Sequence, residues 1–242
     1  MMLTRLEPEL DRVPGDILAH RPVTIVAIGS SSTEGIGASA PERSYPSQLE
    51  RDLQARLPGI DIHVVNRGKG GEDAREELAR LARDVLEQHP DLVIWQVGTN
   101  AVLRRDDLAA DAELLQRGVD QIKASGADLV LMDLQYAPRV LARPAYALME
   151  QLLADTAERE RVALFRRFAM MRYWQDEPGG VPATVGSDGL HMNDTGYGCL
   201  ADALADALVA NWSSQLKSAS HGAAAAAFAS DRKRATGAAS LR

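Results

Sequence analysis

VTIVAIGSSSTEG, residues 23–35, decides how the rest of the chain is read. A short run of apolar and β-branched residues ends in a glycine, three consecutive serines and a threonine. A strand bare of polar side chains belongs to a sheet covered on both faces. Small polar residues at its end let backbone turn tightly and approach a ligand. Comparable apolar runs recur at 60–65, 92–97, 127–132 and 162–165. Between them lie helical patterns. Ala74, Leu78, Leu81, Ala82, Val85 and Leu86 share one face at 3.6-residue spacing, as do Leu148, Met149, Leu152, Leu153 and Thr156. Tyr197, Leu200, Ala201, Leu204 and Leu208 mark a last helix, with Asn193 or Asp194 as its N-cap.

Strands alternating with helices imply parallel strands joined by right-handed crossovers. The expected fold is a three-layer α/β/α sandwich on a parallel sheet of about five strands. The pattern divides the chain into a lead segment at 1–22, one domain at 23–212 and a tail at 213–242. The tail is rich in alanine and serine and reads as disordered, its basic cluster at 232–234 as a solvated charge run.

The bulk numbers exclude several functions. A 242-residue chain with 45% hydrophobic and 25% charged residues suits one domain with a sizeable core. A net charge of −7 argues against a nucleic-acid surface. A single cysteine, Cys199, permits no internal disulfide or cysteine zinc cluster, and its apolar helical setting suggests inert packing. No apolar run reaches the roughly 18 to 20 residues of a membrane span. The first residues carry acids and prolines without the apolar centre of a signal peptide, so the chain as written is expected in the cytoplasm. A start further upstream would make it periplasmic or secreted.

Ligands of open parallel α/β sheets bind outside the carboxyl ends of the strands. Gly29-Ser30-Ser31-Ser32-Thr33 follows the first strand and Asn66-Arg67-Gly68-Lys69-Gly70-Gly71 the second. Gly98-Thr99-Asn100 follows the third and Gln135-Tyr136 the fourth. A nucleophilic serine needs a base. Of five histidines, His20 precedes the first strand, His63 lies within the second, His89 is at the opposite edge and His221 is in the tail. His191 remains, after the last strand and on the correct edge. Asp188, three residues earlier, is spaced to reach its Nδ1–H and leave Nε2 for a serine hydroxyl. An ordinary imidazole titrates near 6.5, so activity through such a base should rise through roughly pH 6 to 7. Which of the three serines reacts is not decided by composition.

These blocks resemble the SGNH, or GDSL-type, hydrolase family. Its G-D-S-x-T-x-G block corresponds to residues 29–35, with Ser30 where the family usually has Asp. Its N-x-x-x-x-G corresponds to Asn66 through Gly71, and its G-x-N-D to Gly98-Thr99-Asn100, with Ala101 in place of Asp. Its D-x-x-H corresponds to Asp188 through His191. The resemblance implies a flavodoxin-like sandwich and a serine esterase in which Ser31 is the nucleophile, His191 the base and Asp188 its orienting partner. It further implies an oxyanion hole from the backbone N–H groups of Ser31 and Gly71 and the side-chain amide of Asn100. No metal or organic cofactor is implied. Ser32 and Thr33 then become turn or cap residues.

Other readings fit less well. A dinucleotide site started at Gly68 fails because the third glycine position is Asp73. A metallophosphoesterase would want more than one histidine on the active edge. An acyltransferase would use the same triad on a bound sugar hydroxyl, and a non-catalytic module would leave every site position filled to no purpose. The candidate pocket walls are residues 101–107, 135–143 and 177–185. Arg104, Arg105, Arg139, Gln135 and Tyr136 are the substrate-binding candidates there, with Trp174 nearby and Arg67 and Lys69 on the second-block loop. Small acyl esters, acetyl above all, carried on a small molecule or a glycan, are the expected substrates.

Overall fold

A computed structural model describes the backbone of residues 5–104, 107–176 and 184–238, with side chains followed to residue 217. Five strands form the sheet: β1 (Val23–Gly29), β2 (Ile62–Gly68), β3 (Leu92–Gln96), β4 (Asp128–Met132) and β5 (Ala163–Phe165). All pair in parallel in the order β2-β1-β3-β4-β5. Val23 stands opposite Ile62 and Gly29 opposite Gly68, while Ile25 stands opposite Leu92 on the other side.

Alternation along the strands builds two cores. Val23, Ile25 and Ala27 join Leu49 and Leu53 of α3 (Tyr45–Arg56), Met170 of α9 (Arg167–Asp176) and Leu200 and Leu204 of α10 (Asp194–Ala238). Val26, Ile28, Val93 and Trp95 join Leu81 of α4 (Ala74–Asp84). Val119 of α6 (Leu108–Ala124) and Leu153 of α8 (Tyr146–Glu160) complete that second layer. The β1-to-β2 crossover runs through α3 on one face, and the next three run through α4, α6 and α8 on the other. The winding therefore reverses between β1 and β3, and the crevice belongs outside their carboxyl ends.

Packing across the second layer is close. Gly118 of α6 lies under the Trp95 ring, and a Cβ there would fall against Cζ3 and Cη2, with Leu78 Cδ1 only 3.0 Å away. Trp95 cannot retreat easily, because its Nε1 donates to the buried Glu77 carboxyl at 2.7 Å. Gly118→Ala should thus cost about 1–3 kcal/mol from overpacking, partly offset by about 1 kcal/mol of helix propensity. A urea unfolding midpoint at or above wild type would refute this.

The lead segment packs into the domain: Leu6, Leu10, Val13 and Ile17 are buried in the first core. Asp128 at the start of β4 accepts the N–H groups of Asp11, Arg12 and Val13 at 3.1, 3.0 and 3.1 Å, anchoring α1 (Arg12–Leu18). Asn211 of α10 accepts from Leu10 N at 3.0 Å and donates to Leu6 O at 3.0 Å. At the other end, α10 continues to Ala238, so the backbone after 213 is helical where a structureless tail was expected. Alanine has the highest helix propensity, which a reading based on low complexity undervalues. Asn193 is the cap of α10, its Oδ1 accepting Gly196 N at 3.0 Å. Among the described residues, no helix is long and apolar enough to cross a membrane.

Candidate active site

The nucleophile loop leaves β1 at Gly29, where a Cβ would lie 2.8 Å from both Gln96 O and Gln96 Oε1. Only glycine permits that approach. Ser31 opens a single turn, α2 (Ser31–Glu34), closed by Gly35 at φ 103°. Ser31 N–H, at the first helical position, has no intrahelical acceptor. Ser30 N–H and Ser30 Oγ both meet Gln96 Oε1, at 3.1 and 3.2 Å, and Thr33 Oγ1 meets the same oxygen at 3.3 Å. Ser30 and Thr33 are thus engaged below the surface, as loop and turn residues. Ser31 keeps 9% of its surface exposed.

The second wall comes from the β2–α4 loop. Gly68 lies so close to the backbone of Thr33 and Glu34 that no Cβ fits between them. Gly70 N–H donates to Glu34 Oε2 at 2.7 Å, and Gly71 adopts φ 83°. Asp73 then starts α4 in a capping box, accepting from Arg75 N and Glu76 N while Glu76 accepts from Asp73 N. Asn100, on α5 (Thr99–Arg104), donates through Nδ2 to Glu72 O at 2.7 Å, which leaves its second amide hydrogen for a ligand. Buried Arg80 holds the two walls together. Its Nε donates to Glu72 Oε2 at 2.6 Å and its Nη2 to Gly29 O at 3.3 Å.

The third wall is the loop from 184 to 193. An antiparallel bridge of Val185 with Met192 closes it, and Gly189 turns it at φ 68°. Leu190 and Met192 are buried, so His191 between them faces the cleft. His191 Nε2 lies 3.0 Å from Ser31 Oγ, and His191 Nδ1 lies 2.5 Å from Asp188 Oδ2. Asp188 Oδ1 accepts Leu190 N–H and His191 N–H, each at 3.0 Å. Burial pushes this carboxyl up, but those amides and the imidazole outweigh it and hold it below its ordinary value. An ionised carboxylate only accepts, so Nδ1 carries the proton and Nε2 is the free lone pair facing the serine.

The structure therefore gathers Ser31, Asp188, His191, Gly71 and Asn100 on one edge. The substrate-binding candidates fare differently. Arg104 pairs with Asp73 and Glu76 and donates to Gly71 O, which makes it a brace of the glycine loop. Gln135 is buried, and its Oε1 accepts from Thr99 Oγ1 at 2.9 Å and from buried Arg167 at 3.0 Å. Its oxygen thus joins α5 to α9. Tyr136 packs edge-on against Phe168, ring centroids 5.1 Å apart. Trp174 also packs against the core. Arg139, on the short α7 (Pro138–Leu141), is exposed beside the Asp188 turn, its backbone N–H donating to Gly189 O at 3.0 Å. Arg67 donates to Asp84 O and Lys69 pairs with Glu72. Arg105 and most of the wall at 177–185 lie outside the described residues. Sequence reasoning missed Gln96, Arg80 and Glu72. Gln96 did leave a signal, as the one polar side chain in the run LVIWQ.

The five-stranded parallel sheet and the esterases to which the chain is similar make it an SGNH-type ester hydrolase. Within that class, the chain belongs to the non-GDSL lipase-like family, whose model matches residues 1–214. It is 28% identical over 186 residues to an arylesterase of Vibrio mimicus, covering 76% of this chain and 88% of that protein. It is 37% identical over 86 residues to an acetylxylan esterase of Geobacillus stearothermophilus, covering 35% of this chain and 39% of the relative. The crystal structure of TesA superposes with a TM-score of 0.66 at 25% identity, over 78% of this chain and 99% of that one.

Proposed function

We propose that this ester hydrolase works by acyl transfer through Ser31, on small acyl esters with acetylated carbohydrate among them. The observation that carries the reading is the chain Ser31 Oγ, His191 Nε2, His191 Nδ1, Asp188 Oδ2, with links of 3.0 and 2.5 Å. Ser31 Oγ attacks the ester carbonyl as its proton passes to His191 Nε2. The oxyanion takes hydrogen bonds from Ser31 N–H, Gly71 N–H and the free Nδ2 hydrogen of Asn100. The C–O bond to the alcohol then breaks, and His191 returns the proton to the departing oxygen. Water attacks the acyl-serine with the same proton traffic, releasing the acid and restoring Ser31. The preference for acetyl on carbohydrate is supported by the resemblance to the acetylxylan esterase.

The test is hydrolysis of p-nitrophenyl acetate, butyrate and octanoate with EDTA present, wild type beside Ser31→Ala. Serine-dependent turnover strongest on acetate is expected. Turnover rising steadily with chain length would overturn the small-acyl reading. Asn100→Ala should lower kcat by about 10²- to 10³-fold, the usual cost of one oxyanion donor. A change below about threefold would remove Asn100 from the oxyanion site.

A further inference from the structure

The Gly29–Ser30 peptide unit, one residue before Ser31, is clamped at both ends. The Gly29 carbonyl accepts Lys69 N–H at 2.9 Å and Arg80 Nη2 at 3.3 Å. The N–H of the same unit, on Ser30, donates to Gln96 Oε1 at 3.1 Å. Ser30 Oγ and Thr33 Oγ1 converge on that oxygen from the next turn, at 3.2 and 3.3 Å. The carboxamide orientation is not arbitrary, because a backbone N–H can only donate. Gln96 is 1% exposed at the end of β3, so no solvent replaces its oxygen if it is lost.

We infer that Gln96 is the positioning residue of the nucleophile loop, setting through the Ser30 peptide where Ser31 Oγ stands relative to His191 Nε2. The inference rests on the reading of Ser31 as nucleophile. Gln96 touches neither substrate nor reacting atoms. Its oxygen is the common acceptor of three donors within two residues of Ser31. With that acceptor gone, the Gly29–Ser30 plane is held only through its carbonyl and can rotate. The Ser31–His191 link then lengthens or loses alignment. Misplacement of a reacting group by about 1 Å costs on the order of 10²-fold in rate. Of the oxyanion donors, Ser31 N–H moves with the loop, while Gly71 and Asn100 sit on other elements. Substrate binding is therefore spared while the chemical step suffers.

The experiment compares wild type, Gln96→Met, Gln96→Glu and Ser31→Ala on p-nitrophenyl acetate, with thermal midpoints and fluorophosphonate labelling rates for each. Methionine matches glutamine in length but offers no such acceptor, whereas glutamate keeps the oxygen. Gln96→Met is expected to lose roughly 10- to 100-fold in kcat and in labelling rate, with KM within about threefold of wild type. Gln96→Glu is expected to recover most of that loss. Wild-type kcat in Gln96→Met would overturn the inference, and so would a folded Gln96→Glu as slow as Gln96→Met. Should Gln96→Met not fold, Gln96→Asn replaces it, since that variant withdraws the oxygen by one methylene, and the same kcat loss at unchanged KM is required. Wild-type turnover in Ser31→Ala would instead strike the underlying reading, which keeps the two failures apart.

Discussion

Ser31→Ala is expected to lower kcat on p-nitrophenyl acetate by about 10⁴-fold or more, with little change in thermal midpoint. The size follows from the unit to which Ser31 belongs. Nucleophile and base act together, so removing either leaves only what binding and the oxyanion donors supply. His191→Ala should fall to a similar floor, and the double variant should be no slower than either single one. Stability should hold because Ser31 Oγ makes one hydrogen bond, with His191, and retains some exposure. The neighbouring hydroxyls cannot substitute where they stand: Ser30 Oγ faces Gln96, and Ser32 is buried. Wild-type-like turnover in Ser31→Ala would defeat the mechanism.

Asp188→Asn carries the next largest effect, a loss of about 10³- to 10⁴-fold in kcat. An amide in that place can donate to Nδ1 and so stabilise the tautomer whose Nε2 bears the proton, the wrong one for a base. It also removes the charge beside the imidazolium formed in the transition state. The pH dependence has a definite sign. The Asp188 carboxyl is held below its ordinary value of 3.8, so it stays ionised through the whole range in which an imidazole titrates. The stability its hydrogen bonds add is complete above about pH 4 and is lost as pH falls through the lowered folded value. Because the Asp188 side chain is 43% exposed, the rate effect should far exceed the stability effect. A variant that lost thermal midpoint but kept kcat would reverse that ranking.

The central strands were legible because burial on both faces removes polar residues from them, as in 25–28 and 92–95. The carboxyl half of β2 was not. Asn66, Arg67 and Gly68 pair with Ala27, Ile28 and Gly29, yet they read as a loop because an edge strand needs no apolar outer side. The order of blocks marked Ser31, Asn100, Asp188 and His191, since each sits within a few residues of its strand end or helix start. Arg104 and Gln135 show the opposite. Both are polar and near the site, but one is engaged by Asp73 and Glu76 and the other by Thr99 and Arg167. Which polar groups are consumed by internal partners depends on contacts 28 or more residues apart in the chain.

Hydrophobic period and turn chemistry thus determined, from sequence alone, that this chain is a parallel α/β sandwich with its chemistry on one edge, because both are local properties of the chain. Tertiary structure alone supplied the geometry: that Ser31 Oγ stands 3.0 Å from His191 Nε2, 160 residues away, and that Arg80 and Gln96 hold the loops in register. Those are long-range hydrogen bonds in a buried place, where direction and distance count, and no residue pattern along the chain encodes either.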